Sequence, residues 1–111
     1  MSGRIFGYES RPLEGAWVAF FPVPGADAEV PKGIMPRYWA RTDRDGRYQI
    51  VGLPVGLYKV VASAYCMFYY CNTRWFPDAA HSHEATAITV VAGGTLDGVN
   101  IRFERHFFWE P

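Results

Sequence analysis

An all-β sandwich or barrel is the fold class that this sequence of 111 residues predicts. Three observations predict it. No stretch shows the 3.6-residue apolar period of a helix. Eleven Gly and eight Pro punctuate the chain every few positions. Between them lie short runs rich in Val, Ile, Tyr, Phe and Thr, residues that fit a pleated, half-buried surface. The length suits one domain of ordinary size. Half the residues are apolar, 20% are charged and the formal net charge is zero. That balance excludes an intrinsically disordered chain and argues against a nucleic-acid binder, which needs net positive charge or a basic stripe. The unusual figure is the aromatic fraction, 17%, from eight Phe, seven Tyr and four Trp. A core of this size does not need so many.

The strands follow in order. The first runs from Arg4 to Tyr8 and ends at the turn signal Ser10-Arg-Pro-Leu-Glu-Gly15. The second is Ala16 to Phe21, closed by Pro22 and Pro24. Alternation sends Ala16, Val18 and Phe20 inward and Trp17, Ala19 and Phe21 outward. A loop from Val23 to Pro36 shows no period. The third run is Arg37 to Thr42, with Tyr38 and Trp39 counted among the outward aromatics. Asp43-Arg-Asp-Gly46 is a turn, because Asp side chains bond nearby N–H groups and Gly supplies positive φ. The fourth run, Arg47 to Val51, puts Tyr48 and Ile50 on one face. The fifth, Leu57 to Ala64, aligns Tyr58, Val60 and Ala62 and turns Lys59 outward. Tyr65 to Glu84 is read as irregular. The sixth, Thr86 to Ala92, points Ile88 and Val90 inward. The seventh starts at Gly98 or Val99 and ends at Arg105, with Val99, Ile101 and Phe103 inward and Asn100 outward. The expected organisation is one domain over residues 1–105 and an aromatic tail over 106–111.

The spacing of Pro12-Leu-Glu-Gly-Ala-Trp-Val18, Thr42-Asp-Arg-Asp-Gly-Arg-Tyr48 and Gly52-Leu-Pro-Val-Gly-Leu-Tyr58 resembles the carboxypeptidase regulatory-like family. Trp75-Phe-Pro-Asp-Ala79, Ala87-Ile-Thr-Val90 and Gly94-Thr-Leu-Asp-Gly-Val-Asn-Ile101 resemble the end of the same domain. The resemblance runs from about Gly3 to Phe103. It implies a seven-stranded antiparallel Greek-key sandwich of the transthyretin-like (prealbumin-like) type. It also implies an accessory module: a spacer, stalk, adhesion unit or partner of a catalytic domain. None of the matched residues is catalytic in that family. One fold hosts many roles, so function has to be argued from the site.

Few constellations could carry chemistry. Cys66 and Cys71 are spaced for a local disulfide, which an oxidising compartment would favour. His81-x-His83 is the weak metal candidate, with Cys66, Cys71 and Glu84 near in sequence; zinc modules space their His by three to five residues instead. Asp43-x-Asp45-Gly46 resembles the start of a calcium loop but lacks the downstream acid. A Lys59–Asn100 crosslink is disfavoured, and no serine stands in a nucleophile-elbow context. No cofactor is expected.

The aromatic excess falls in two segments. Tyr65, Phe68, Tyr69, Tyr70, Trp75 and Phe76 crowd one connection, and Phe107, Phe108 and Trp109 crowd the tail. Trp, Tyr and Arg anchor protein interfaces, and a large exposed apolar patch is a liability in a monomer. The expected role is a non-enzymatic structural or assembly subunit. It would self-associate or dock on a larger surface, filament or virion assembly through these segments. The alternative is a carbohydrate- or small-ligand-binding accessory module. The partner is expected to be a protein, as a homo-oligomer or polymer, with a glycan as the other possibility and no nucleic acid. No apolar run reaches transmembrane length and the first residues show no signal-peptide core. The compartment stays open, although the family resemblance favours an extracellular or surface-exposed setting.

Overall fold

In the structure, a computed structural model, residues 1–7, 10–31, 35–67, 70–92 and 95–103 are described. They form eight strands: β1 (Ser2–Phe6), β2 (Trp17–Val23), β3 (Tyr38–Arg41), β4 (Arg47–Gln49), β5 (Gly56–Met67), β6 (Tyr70–Trp75), β7 (Ile88–Val90) and β8 (Ile101–Arg102). A 3-10 helix spans Ser82–Glu84. The fold is all-β, in two sheets. One has the order β4-β1-β8; the other has the order β3-β2-β5-β6, with β7 also paired to β5. No helix among the described residues is long and apolar enough to cross a membrane.

Alternation explains the core. Ile5, Val18, Phe20, Tyr58, Val60, Val99, Ile101 and Phe103 are at most 2% exposed. The side chains between them in sequence point to the other face of each strand. Phe20 joins the two sheets: its ring lies 6.2 Å from Tyr48 of β4 and 6.4 Å from Tyr58 of β5. The turn at Asp43 forms as its residues require. Asp43 Oδ1 accepts the N–H of Asp45 at 2.9 Å and of Arg47 at 3.0 Å. Gly46 takes φ +73°, and a Cβ there would stand 2.6 Å from the Ile5 carbonyl oxygen. Thr42 is buried and pins the β1–β2 connection, its Oγ1 accepting from Ala16 N–H and donating to the Leu13 carbonyl.

The sequence expectations need five corrections. The first concerns strand number and direction: seven strands, all antiparallel, were expected, and one pair of the eight is parallel. β8 runs parallel to β1, pairing Ile5 with Ile101 and Phe6 with Arg102. β4 already occupies the other edge of β1. The chain leaves β7 beside Gly56 and passes Leu96, whose carbonyl accepts the Ser2 N–H at 2.9 Å. It therefore meets β1 at that strand's beginning, and β8 runs in the same direction. Second, Pro22 does not end β2, which continues to Val23. β3 pairs β2 only as far as Phe20, so Pro22 sits where that edge is free, and an edge tolerates a missing N–H. Third, the segment read as irregular contains β6. Its Asn72, Thr73 and Arg74 give no apolar alternation, and the strand exists because a hairpin lays it on β5. Fourth, Tyr38 faces inward: it pairs with Phe20 and meets Tyr58 edge-on at 6.1 Å. Fifth, Lys59 lies on the outer face as expected but is fully buried, as is nearly true of Ala19 at 8%.

Burial pushes the Tyr48 phenol well above its ordinary 10.0, and its hydroxyl donates to the Val99 carbonyl at 2.8 Å. Tyr58 is also raised, first by burial and then by Tyr38. The folded state therefore holds both protons at pH values where the unfolded chain releases them. Their contribution is fully present below pH 10.0 and is lost as pH rises above it. Urea titrations across pH 8 to 12 should show a plateau and then a decline. Tyr48→Phe should cost about 1 kcal/mol on the plateau and make the alkaline decline shallower.

Candidate functional site: an aromatic sheet face

Directly opposed residues on neighbouring strands share a face, so the register writes out the outer face of the five-stranded sheet. One row across it reads Arg41, Trp17, Ser63, Thr73; the next reads Trp39, Ala19, Val61, Trp75; Phe21 and Lys59 form a third. Large rings thus stand at both sides of the second row, with small residues between. Three strand spacings separate the backbone positions of Trp39 and Trp75, about 14 Å. Ala19 and Val61 lie between them and are only 8% exposed.

The two halves of this face differ. Trp75 packs on Phe21 with ring centroids 6.1 Å apart. Next to Phe21, Lys59 runs under two loops. Its Nζ donates to the Ala28 carbonyl at 2.7 Å and to the Ser82 carbonyl at 2.8 Å. Ser82 Oγ in turn accepts the Val30 N–H at 2.9 Å. The loop over residues 24–31 and the 3-10 helix are thereby fastened over this half. The other half is uncovered. Trp17 is 39% exposed and Trp39 is 49% exposed. Their centroids lie 4.6 Å apart with planes at 52°. The Arg41 guanidinium stacks 4.7 Å from the Trp17 ring and donates to the Gly15 carbonyl at 3.3 Å. An aromatic pair held by a stacked arginine has the chemistry of an interface anchor.

The residues singled out from the sequence are dispersed. Tyr65 turns toward the core, edge-on to Phe103 at 5.8 Å, and a side chain at Gly7 would strike its hydroxyl. Phe76 also packs on the core, and its N–H donates to the Val60 carbonyl at 2.8 Å. Trp75 is on the outer face. Tyr70 opens β6, paired with Met67. Phe68 and Tyr69, and Phe107, Phe108 and Trp109, lie outside the described residues. Cys66 and Cys71 form a disulfide across the β5–β6 hairpin, and both are exposed. His81 and His83 stack face to face with centroids 5.6 Å apart on the surface. Among the described residues no three His, Cys, Asp or Glu are grouped to hold a metal ion. Asn100 lies on the other sheet's side of the molecule, accepting the Arg4 N–H at 2.8 Å, while Lys59 Nζ is held by carbonyls. Arg41 is the residue that sequence reasoning missed: nothing in Trp39-Ala-Arg-Thr42 announces that its side chain will lie on Trp17 one strand away.

Replacing Lys59 by Met keeps the stem and removes the amine. The Ala28 and Ser82 carbonyls would lose their donor, and the cost should be about 2–3 kcal/mol in urea unfolding. Hydrogen exchange should show the 24–31 loop opening first.

No family model, curated protein or solved structure matches this chain.

Proposed function

We propose that this chain is a non-enzymatic docking subunit, which joins a second copy or a larger assembly through the open half of its aromatic sheet face. The observation that carries the reading is the exposed Trp17–Trp39 pair under Arg41, beside a half of the same face that the chain's own loops cover. Fully desolvating two half-exposed indoles is a strong drive to associate, and Trp and Arg are both enriched at interface hot spots. Of the set read from the sequence, Tyr65 and Phe76 pack on the core, and Trp75, among the described residues, lies on the face. The 52° tilt between the two indoles offers no coplanar platform for stacking successive sugar rings, which favours a protein partner over a glycan.

The same proposal includes membership of the carboxypeptidase regulatory-like family, with a transthyretin-like Greek-key arrangement and an accessory role. Its support is the Asp43–Gly46 turn, the buried Tyr48 and Tyr58 of the matched motifs, and the two-sheet all-β fold.

Sedimentation velocity over a wide concentration range tests it. The chain should associate, and Trp39→Ala or Trp17→Ala should weaken association by about tenfold or more. Either change should leave the thermal midpoint nearly unchanged, since both rings lie outside the core. A chain that stays monomeric at high concentration, and whose Trp39-dependent binding is to a glycan oligomer, would replace this reading with the carbohydrate one.

A further inference from the structure

The outer face of the three-stranded sheet is charged where that of the five-stranded sheet is aromatic. In the β1–β4 ladder Arg4 stands directly opposite Arg47. Like charges in that relation repel and destabilise a sheet. Arg4 is held in place regardless: its guanidinium lies 5.1 Å from the Phe6 ring, which Arg102 covers at 5.3 Å, and its Nη2 donates to the Asp45 carbonyl at 3.3 Å. Its Nε is buried without a hydrogen-bond partner. Among the described residues the one ion pair is Arg74–Asp78, so no arginine of this face is neutralised by a carboxylate.

Arg4 and Arg47 border an open groove of about 760 Å³, which Arg41, Asp43, Gln49 and Asn100 also line. Asp43 is committed to its own turn through two backbone N–H groups. Three arginines therefore line the groove against one carboxylate, whose Oδ1 is held by its own turn. Gln49 and Asn100 add side-chain amides between them. Arg41 takes part in both surfaces, since its guanidinium stacks on Trp17 and the residue also lines the groove.

We propose that this groove is a carboxylate-binding subsite that receives an acidic peptide segment of a partner protein. Guanidinium forks match carboxylates in a bidentate geometry, and the amides suit a peptide backbone. The chain as a whole is neutral, so attraction of an acidic segment has to come from a local group of arginines such as the one lining this groove. A short acidic segment fits that pattern, whereas a nucleic acid needs a longer basic track. The inference goes beyond the docking reading and does not depend on it: the residues varied in its test, Arg4 and Arg47, belong to the three-stranded sheet, while Trp17 and Trp39 belong to the other.

The test is calorimetric titration of the full chain at low salt with a ten-residue Glu-rich peptide, a uronic acid oligomer and inorganic polyphosphate. The peptide should bind, and binding should weaken as salt rises through the range where exposed charges are screened. The double variant R4Q/R47Q should lose about tenfold or more in affinity, while R11Q/R37Q, a change of equal charge at exposed positions outside the groove, should not. Thermal midpoints give the second readout. Relieving the Arg4–Arg47 repulsion should leave the double variant as stable as the parent or more so, the mark of a site kept for binding and not for folding. No peptide binding, equal loss in R11Q/R37Q, or tight binding of polyphosphate or the uronate oligomer in place of the peptide overturns the proposal.

Discussion

The buried amine of Lys59 sets the shape of everything above the five-stranded sheet. A polar group removed from water without partners costs several kcal/mol. Lys59 comes from the middle of β5, where the strand's second edge passes from β7 to β6. Alternation with Tyr58 and Val60 forces it to the outer face. There it can be satisfied only if backbone carbonyls are brought over it, and Ala28 and Ser82 supply them. One side chain thus fixes a long loop from the β2–β3 connection and the 3-10 helix of the β6–β7 connection at the same place.

The covered half of the face follows from that constraint, and so does the open half. The fastened loops lie over Lys59, in the row it shares with Phe21. Trp17, Trp39 and Arg41 lie beyond them, at the β3 edge. Had the outer face been polar throughout, its exposure would carry no meaning. Here the same rows that hold Ala19 and Val61 almost buried leave two indoles half in water. Arg41 is common to this face and to the basic groove: its guanidinium stacks on Trp17, and the residue also lines the groove.

Much of the fold was legible in the sequence because it depends on period-2 alternation and turn chemistry. Val18, Phe20, Tyr48, Tyr58, Val60, Ile101 and Phe103 announce themselves in that way, and Asp43 with Gly46 dictates its own turn. What was not legible depends on register between distant strands. Tyr38 and Trp39 are neighbours and must face opposite ways, but only the pairing of Tyr38 with Phe20 decides which goes in. β6 carries no apolar period, because a hairpin and not a buried stripe places it. Lys59 reads as a solvated lysine until the loop that covers it is known. The candidate site was legible in composition and not in location. The aromatic excess pointed to contact surfaces, yet Tyr65 and Phe76 went to the core and the exposed pair came from β2 and β3.

Oxidative footprinting read by mass spectrometry, in dilute and in concentrated protein, addresses the central claim most directly. It reports Trp17, Trp39 and Trp75 separately. The account predicts that Trp17 and Trp39 oxidise fastest when dilute and become protected together on concentration, with Trp75 slow throughout. Equal reactivity of all three when dilute, or no protection of Trp17 and Trp39 on concentration, would contradict it.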